Sequence, residues 1–371
     1  MFVTKVLREK FRLVFVWSGL FAIKKTGFRS TILAFGVLIV AQTYRLPETA
    51  SPKMTLSEYG FFEGALALQQ PAKGVVPYAL NTPLFSDYAE KLRFVKLPEG
   101  ATVPYNATEV LDFPVGTILI KTFYFPNDFR SSDKGRKLME TRLLLHEPNG
   151  WKALEYVWND GQTEATLEVA GDERDISYVD AEGKKRKQHY VMPNVNQCKG
   201  CHNRNEVMTP IGPSVRQLNG EFTYAEGTTN QLTHWQQLGL ITNLPALKDC
   251  PKAPVWNKPE TGTLDERARI WLDINCAHCH REGGPASTSG LLLNLYTKDA
   301  TALGIHKTPV AAGRGSGDRK YGIEPGKPDE SILLYRMEST DPGVMMPELG
   351  RKVAHKEGIA LIREWIKAMP Y

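Results

Sequence analysis

Cysteine is scarce in this chain, and no apolar stretch is long enough to cross a membrane as a helix. Five of the 371 residues are cysteine, and four of these form two close pairs, each followed directly by histidine. Exported proteins normally pair their cysteines as disulfides, but two close pairs that are each followed by histidine indicate another use of these thiols. The apolar run from Ile32 to Ala41 falls short of the ~20 residues that a spanning helix needs.

The chain also lacks an excess of positive charge outside its first residues. Seven of its 46 Lys and Arg lie in residues 1–41, against one of its 41 Asp and Glu, so the remainder has a net charge of −1. This balance removes the main support for nucleic-acid binding.

The glycines near residue 315 are not followed by the Gly-Lys-Ser/Thr of a phosphate loop, and no repeat of solenoid length is present.

Residues 1–41 are predicted to be a signal peptide or an uncleaved N-terminal anchor. A basic start followed by a short apolar run is typical of export signals, and small residues around Ala41 permit cleavage. We expect the mature protein in the periplasm, associated with the inner membrane through its N-terminus if the leader is retained.

The remaining pattern predicts an α+β protein in which an antiparallel β sandwich or barrel is followed by α-helical sequence, where each cysteine pair has the Cys-x-x-Cys-His pattern of haem attachment. Residues 56–192 are predicted to be a β-rich domain, because short β-branched and aromatic runs alternate with turn signals. The predicted strands are 92–97, 117–125, 137–146, 151–158, 165–169 and 188–192. Glu140 and Asp160 are interpreted as surface acids.

Two further regions follow the β-rich one: a first haem-binding region at 193–250 and a second at 260–371. The second begins with Thr263 and Glu266 at capping-box spacing, which predicts a helix running into Cys276. Further helices are predicted from Pro328 to Met337 and from about 356 to 369, where apolar residues share one face.

Both cysteine pairs have the pattern Cys-x-x-Cys-His, which is the attachment sequence of c-type haem. The first motif is residues 198–202, with Cys198, Cys201 and His202; the second is residues 276–280, with Cys276, Cys279 and His280. Two thiols three positions apart can reach the vinyl groups on one edge of a porphyrin. The following imidazole then lies under the iron as the proximal ligand. The pattern predicts two covalently bound haems.

Zinc binding and dithiol redox chemistry are the competing interpretations. Paired zinc-ribbon cysteines are separated by about 15–20 residues, whereas Cys201 and Cys276 are 75 positions apart. A thioredoxin-like dithiol does not require a histidine after each pair. Cys250 remains as a buried or inert thiol.

The sixth iron ligand decides between electron transfer and catalysis, because an iron with an open position can bind a small substrate, whereas a fully coordinated iron can only exchange electrons. For the second haem we expect Met346, with its neighbour Met345 as the alternative. For the first haem the candidates are Met208 and His234, with His189 and Met192 weaker, and the iron is otherwise five-coordinate.

Each proximal ring also needs an acceptor for its second nitrogen. A carbonyl that accepts this hydrogen bond is expected from the turns at 212–213 and 284–285. His278, inside the second motif, is expected to face solvent or a propionate.

Residues 264–369 resemble a class I cytochrome c domain, in which a helix ends in Cys-x-x-Cys-His and a Met-Pro segment precedes a terminal helix. From about Gly74 the chain resembles a family of bacterial dihaem c-type cytochromes with a β-rich N-terminal region, mostly conserved hypothetical proteins. The shared phrases lie at 83–87, 113–117, 139–142, 210–219 and 230–232.

The resemblance implies haem irons at His202 and His280 and a Met346 ligand. It implies no settled substrate. The function expected first is electron transfer to an unidentified redox partner protein. The alternative is a haem-dependent oxidoreductase of the peroxidase or small-molecule oxidase type, with an open first haem.

Overall fold

The computed structural model describes residues 51–370, so the leader predicted at 1–41 lies outside the described residues. The described residues belong to one compact unit. Within 51–370, no helix combines the length and the apolar character that crossing a membrane requires.

The elements of the described chain are mostly short strands followed by short helices. The strands are β1 Phe62–Glu63, β2 Gln70–Pro71, β3 Val75–Tyr78, β4 Glu90–Lys96, β5 Val103–Pro104, β6 Ile118–Pro126, β7 Arg136–Glu147, β8 Gly150–Trp158, β9 Ala165–Leu167, β10 Asp172–Val179, β11 Lys185–Met192, β12 Asn203–Arg204, β13 Val207–Met208, β14 Glu221–Tyr224, β15 Gly227–Asn230 and β16 Ile241–Thr242. The helices are α1 Val195–Cys201, α2 Val215–Leu218, α3 Gln231–Gln237, α4 Leu264–Asn275, α5 Ile332–Glu338 and α6 Lys356–Lys367.

A six-stranded antiparallel sheet, in the order β3-β4-β6-β7-β8-β9, is the largest element of the fold. The α+β class is thereby confirmed, and all six predicted strands are present. The sheet is open at β3 and β9, so the barrel alternative is wrong for the described residues. The β10-β11 hairpin packs on one end of the sheet through an apolar cluster that includes Phe123 and Tyr178, while α1 and β13 pack against β8.

The two faces of this sheet differ in chemistry because side chains alternate along each strand. One face is apolar and packs around Phe94, Ile120 and Trp158. The other face carries a row of directly opposed ionisable residues that crosses five strands. We call it the ionisable row, and its members are Tyr78, Arg93, Lys121, Arg142 and Glu155.

Helices α4, α5 and α6 pack together around a separate apolar core. The predicted capping box is confirmed: the Thr263 hydroxyl accepts from the Glu266 amide, and the Glu266 carboxylate accepts from the Thr263 amide at 2.8 Å. Trp365 and Ile366 lie on the buried face of α6, as the helical spacing predicted. This core holds the end of α4, where the second motif begins.

Asp87 connects the β-rich region to the segment that follows Met346. Its buried carboxylate accepts hydrogen bonds from the amides of Lys352, at 2.7 and 2.9 Å, and Val353, at 2.9 Å. These bonds cross 265 and 266 positions of sequence. They fix where the C-terminal segment runs beside the sheet.

We predict that Asp87→Ala lowers the free energy of unfolding by about 1–3 kcal/mol, because the amides of Lys352 and Val353 lose a buried acceptor. Chemical denaturation of the purified protein measures the change. Asp160→Ala is the control: Asp160 is 88% exposed, and surface changes usually stay within about 0.5 kcal/mol. Equal effects of the two substitutions would contradict a fixing role for Asp87.

Candidate functional site

The two motifs adopt the same backbone turn. In each, the histidine amide donates to the carbonyl of the first cysteine at 2.9 Å, from His202 to Cys198 and from His280 to Cys276. The first turn ends α1, whose start is fixed by a capping box at Asn194. The second follows α4 directly. Each motif thus holds two thiols and one imidazole on about one helical turn.

The first motif faces the ionisable row across a large cavity. Cys198, Cys201 and His202 line it from the motif side. The sheet contributes every member of the ionisable row except Glu155. The empty space, including the open solvent at its mouth, is about 1640 Å³. We call this cavity 1.

The second motif lines a neighbouring cavity of similar size, about 1730 Å³ including its mouth. Cys276, Cys279 and His280 lie on its wall, and most of the remaining wall is aliphatic. We call it cavity 2. Met346 and His278 line both cavities, so the two spaces share a wall.

The main chain of Met346 is held on both sides. Its amide donates to the Arg336 carbonyl at 2.9 Å, and its carbonyl accepts from the buried Arg351 guanidinium at 2.8 and 3.1 Å. Met345 is also buried but is not among the residues that line either cavity. Of the two neighbouring methionines, Met346 is the one placed at the motifs.

Both motif histidines are neutral at pH 7, as iron ligands must be. Burial lowers the pKa of His202 to about 4, and the nearby charge of Lys121 adds to this. Burial, followed by the charges of His278 and Arg336, lowers the pKa of His280 to about 4.

The hydrogen bonds to these rings differ from the sequence prediction. The acceptor for His202 Nδ1 is the Thr209 carbonyl at 2.8 Å, and not the 212–213 turn. His280 Nδ1 lies 3.4 Å from Ser289 Oγ, and not against the 284–285 turn. The turns were misassigned because the β12-β13 hairpin, which returns Thr209 to the ring, gives only a weak sequence signal. The Thr209 bond leaves His202 Nε2 free to bind a metal.

The residues predicted to close the first iron do not line cavity 1. Met208 lies in β13, next in sequence to Thr209, whose carbonyl binds His202 Nδ1, and it is not among the residues that line cavity 1. His234 stacks on Tyr224 with ring centres 3.6 Å apart. His189 is bonded to Asp175 at the surface, and Met192 lies in the apolar cluster beneath β10 and β11.

The two motifs meet at Cys201, His278 and Cys279. One ligand atom from each of these residues lies within 4.8 Å of the other two. His278, which was expected to face solvent or a propionate, is partly exposed and lies on the wall that the two cavities share. The Cys279 thiol and the His278 ring lower the pKa of the Cys201 thiol despite its burial. Cys250 is buried away from this cluster, as predicted.

The acids beside cavity 1 offer it little free negative charge, because Glu140 is paired and Glu155 is protonated. Glu140 is fully buried, so its assignment as a surface acid is wrong; Arg142 donates to it at 2.6 and 2.7 Å and Tyr190 at 2.6 Å. Burial and the charge of Glu140 raise the pKa of buried Glu155 to about 9, so Glu155 is protonated at neutral pH. Arg93 and Lys121 form no ion pair within residues 51–370.

These features fit two covalently attached haems. Each cavity has both thiols and a neutral imidazole on its wall, which is the donor set that c-type attachment requires. The Arg93 guanidinium, which lines cavity 1 and has no acidic partner within residues 51–370, suits a propionate group of a haem, because buried charges need counter-charges.

Glu109 connects the segments that come after the two motifs. Its carboxylate accepts from Arg204 at 2.8 Å and from Arg281 at 2.9 Å. Burial raises the pKa of Glu109, but the charges of Arg281 and Arg204 outweigh it and lower the pKa overall. Stabilisation by such a carboxylate is present above its unfolded-state pKa and is lost as the pH falls through its folded-state pKa.

We predict that Glu109→Gln lowers the free energy of unfolding at pH 7 by about 1 kcal/mol, a modest value because Glu109 is 37% exposed and such pairs are screened. The difference from the unmodified protein should vanish as the pH falls below the range in which Glu109 ionises. Denaturation curves across pH measure it. A difference that persists in acid would show that the ion pairs are not its cause.

No protein-family model, curated protein or solved structure matches the chain. The family resemblance seen in the sequence phrases thus stays a prediction. The arrangement of the two motifs and their cavities is therefore the main support for a functional proposal.

Proposed function

We propose that this chain is an exported dihaem c-type cytochrome that transfers electrons. Cys198 and Cys201 would attach the first haem and Cys276 and Cys279 the second, with His202 and His280 as proximal ligands. A bound haem supplies reversible one-electron chemistry at its iron. The residues of the motifs and the cavity walls attach the groups, exclude water and balance charge.

One observation carries the electron-transfer function: the attachment sites adjoin each other. Cys201 Sγ and Cys279 Sγ lie within 4.8 Å, and Cys279 Sγ is 3.8 Å from the Gly200 carbonyl. A relay needs redox centres that are close and held rigidly. Contact between the motifs supports it, and Glu109 holds the adjoining segments together.

The finer fold assignment belongs to the same proposal. Helix α4 ending in the second motif, the Met346-Pro347 segment and the terminal helix α6 stand in the order of a class I cytochrome c domain. We propose Met346 as the sixth ligand of the second iron, because it lines cavity 2 together with the second motif as well as lining cavity 1. We also propose a periplasmic location, which the predicted leader supports, and an unidentified redox partner protein.

A haem-dependent oxidoreductase is the second candidate, and the cationic wall of cavity 1 favours it. An open first iron beside cations could bind a small anionic or peroxidic substrate. Carbon monoxide titration of the reduced protein separates the two functions. Fast stoichiometric binding to the unmodified protein would favour catalysis over electron transfer.

A zinc site is the third candidate, and the cluster of Cys201, His278 and Cys279 is the one observation in its favour. Structural zinc sites take four protein ligands, and catalytic sites take three plus water. A zinc ion here would use one cysteine of each pair, leaving Cys198 and Cys276 on cavity walls without a role. It would also leave the two large cavities unexplained.

We predict that protein from the periplasmic fraction keeps its colour after denaturation and contains two haems per chain. Replacing Cys276 and Cys279 by Ala should remove one haem and leave the other, because the motifs attach independently. Pyridine haemochrome spectra and metal analysis measure both. Cys250→Ala is the control and should leave the haem count unchanged. Stoichiometric zinc without haem would overturn the proposal.

We predict that Met346→Ala removes the weak thioether-to-iron band at the red end of the oxidised spectrum. It should also lower the potential of one haem by about 0.1 V or more, within the ~0.8 V that axial ligands span, because thioethers favour ferrous iron. Met345→Ala is the matched control and should leave both unchanged. The reverse pattern would transfer the assignment to Met345, and no effect of either substitution would exclude methionine ligation.

A further inference from the structure

Cavity 1 has two walls of different origin, and each presents a nitrogen donor. The motif presents His202, whose Nε2 is left free by the bond from Nδ1 to Thr209. The sheet presents Lys121, at the centre of the ionisable row, between Arg93 on β4 and Arg142 on β7. The residues predicted from sequence to close the first iron, Met208 and His234, line neither wall.

The surroundings of Lys121 favour a neutral amine. The two flanking residues of its row are cations, and its Nζ lies 4.9 Å from the centre of the Phe123 ring. The nearest acid of the adjoining row, Glu140, is bonded to Arg142 and Tyr190. Burial and the charges of Arg93 and Arg142 hold the pKa of Lys121 well below its ordinary value. An uncharged amine has a lone pair that can bind iron.

Other donors on the cavity wall are held by other parts of the fold. The His355 ring stacks on Phe85 with ring centres 4.2 Å apart, and its Nδ1, which has no hydrogen-bond partner among the described residues, lies against Gly358 of α6. His278 belongs to the cluster with the two motif thiols. Met337 packs in the core of α4, α5 and α6. Lys121 is the nitrogen donor that the sheet wall of cavity 1 provides.

We propose that Lys121 is the sixth ligand of the first iron, opposite His202. This inference rests on the proposed dihaem function and deepens it. An amine ligand from the sheet would give the β-rich region a direct part in the site. It would also close the iron to small molecules, which makes electron transfer its function.

The test compares six variants of the haem-loaded protein. Lys121→Arg keeps the charge but cannot bind iron, whereas Lys121→Met supplies a thioether instead. Lys91→Arg is the matched control, because Lys91 is a lysine of the neighbouring strand β4, opposite Phe123, that does not line cavity 1. His355→Ala, Met208→Ala and His234→Ala test the other candidate donors. Haem content of every variant is measured first.

We expect the unmodified protein and Lys91→Arg to have two low-spin irons and no fast carbon monoxide binding. In Lys121→Arg one iron should become high-spin and bind one carbon monoxide per chain. In Lys121→Met that iron should be low-spin again, with a second thioether band. Near-infrared magnetic circular dichroism of the unmodified protein should show one iron with two nitrogen ligands and one with nitrogen and sulfur.

Several outcomes would overturn the inference while leaving the dihaem function intact. A low-spin Lys121→Arg variant would show that Lys121 only balances charge. High-spin iron in His355→Ala, or in Met208→Ala or His234→Ala, would assign the ligand to that residue. The near-infrared measurement needs no variant, so a Lys121 substitution that fails to fold does not prevent a decision. Protein without haem would instead overturn the proposed function itself.

Discussion

Burial of charge on one face of the six-stranded sheet is the constraint on which the rest of the structure depends. A cationic side chain leaves water only where a counter-charge, a ligand or a polar cavity compensates it. The β10-β11 hairpin covers only the apolar end of this face, around Phe123 and Val157. The ionisable row is left facing cavity 1 and the first motif. The compensation of Arg142 by Glu140, and the protonation of Glu155, leave positive charge directed into that space.

Two carboxylates hold this arrangement together over long sequence distances. Asp87 fixes the segment after Met346 against the β-rich region. Glu109 connects the residues that come after each motif. Both carry out this task through hydrogen bonds to backbone amides or guanidinium groups, which are directional. The three regions that differ in sequence pattern therefore share cores and contacts within one compact unit.

Local patterns in the sequence were sufficient for the strands, for α4 and α6, and for the two motifs. Alternation and capping signals are short-range, so they can be seen without a structure. The β3 strand was missed because it is four residues long and contains Pro77. The ionisable row was missed because Arg93, Lys121 and Arg142 each look like an ordinary solvent-facing residue within their own strand. Only the register of neighbouring strands brings them together on a buried face.

The shared wall between the cavities also concerns the order in which the molecule can mature. Met346, Pro347 and Leu349 line both spaces, and they lie close to the C-terminus of the chain. During synthesis the first motif emerges almost 150 residues before this segment. Neither cavity is complete until the segment has emerged and bonded to Asp87. Enzymes that attach the proposed haems to the cysteine thiols would therefore meet an open, incompletely folded chain. Docking of the segment at Met346 would then close both cavities in one step.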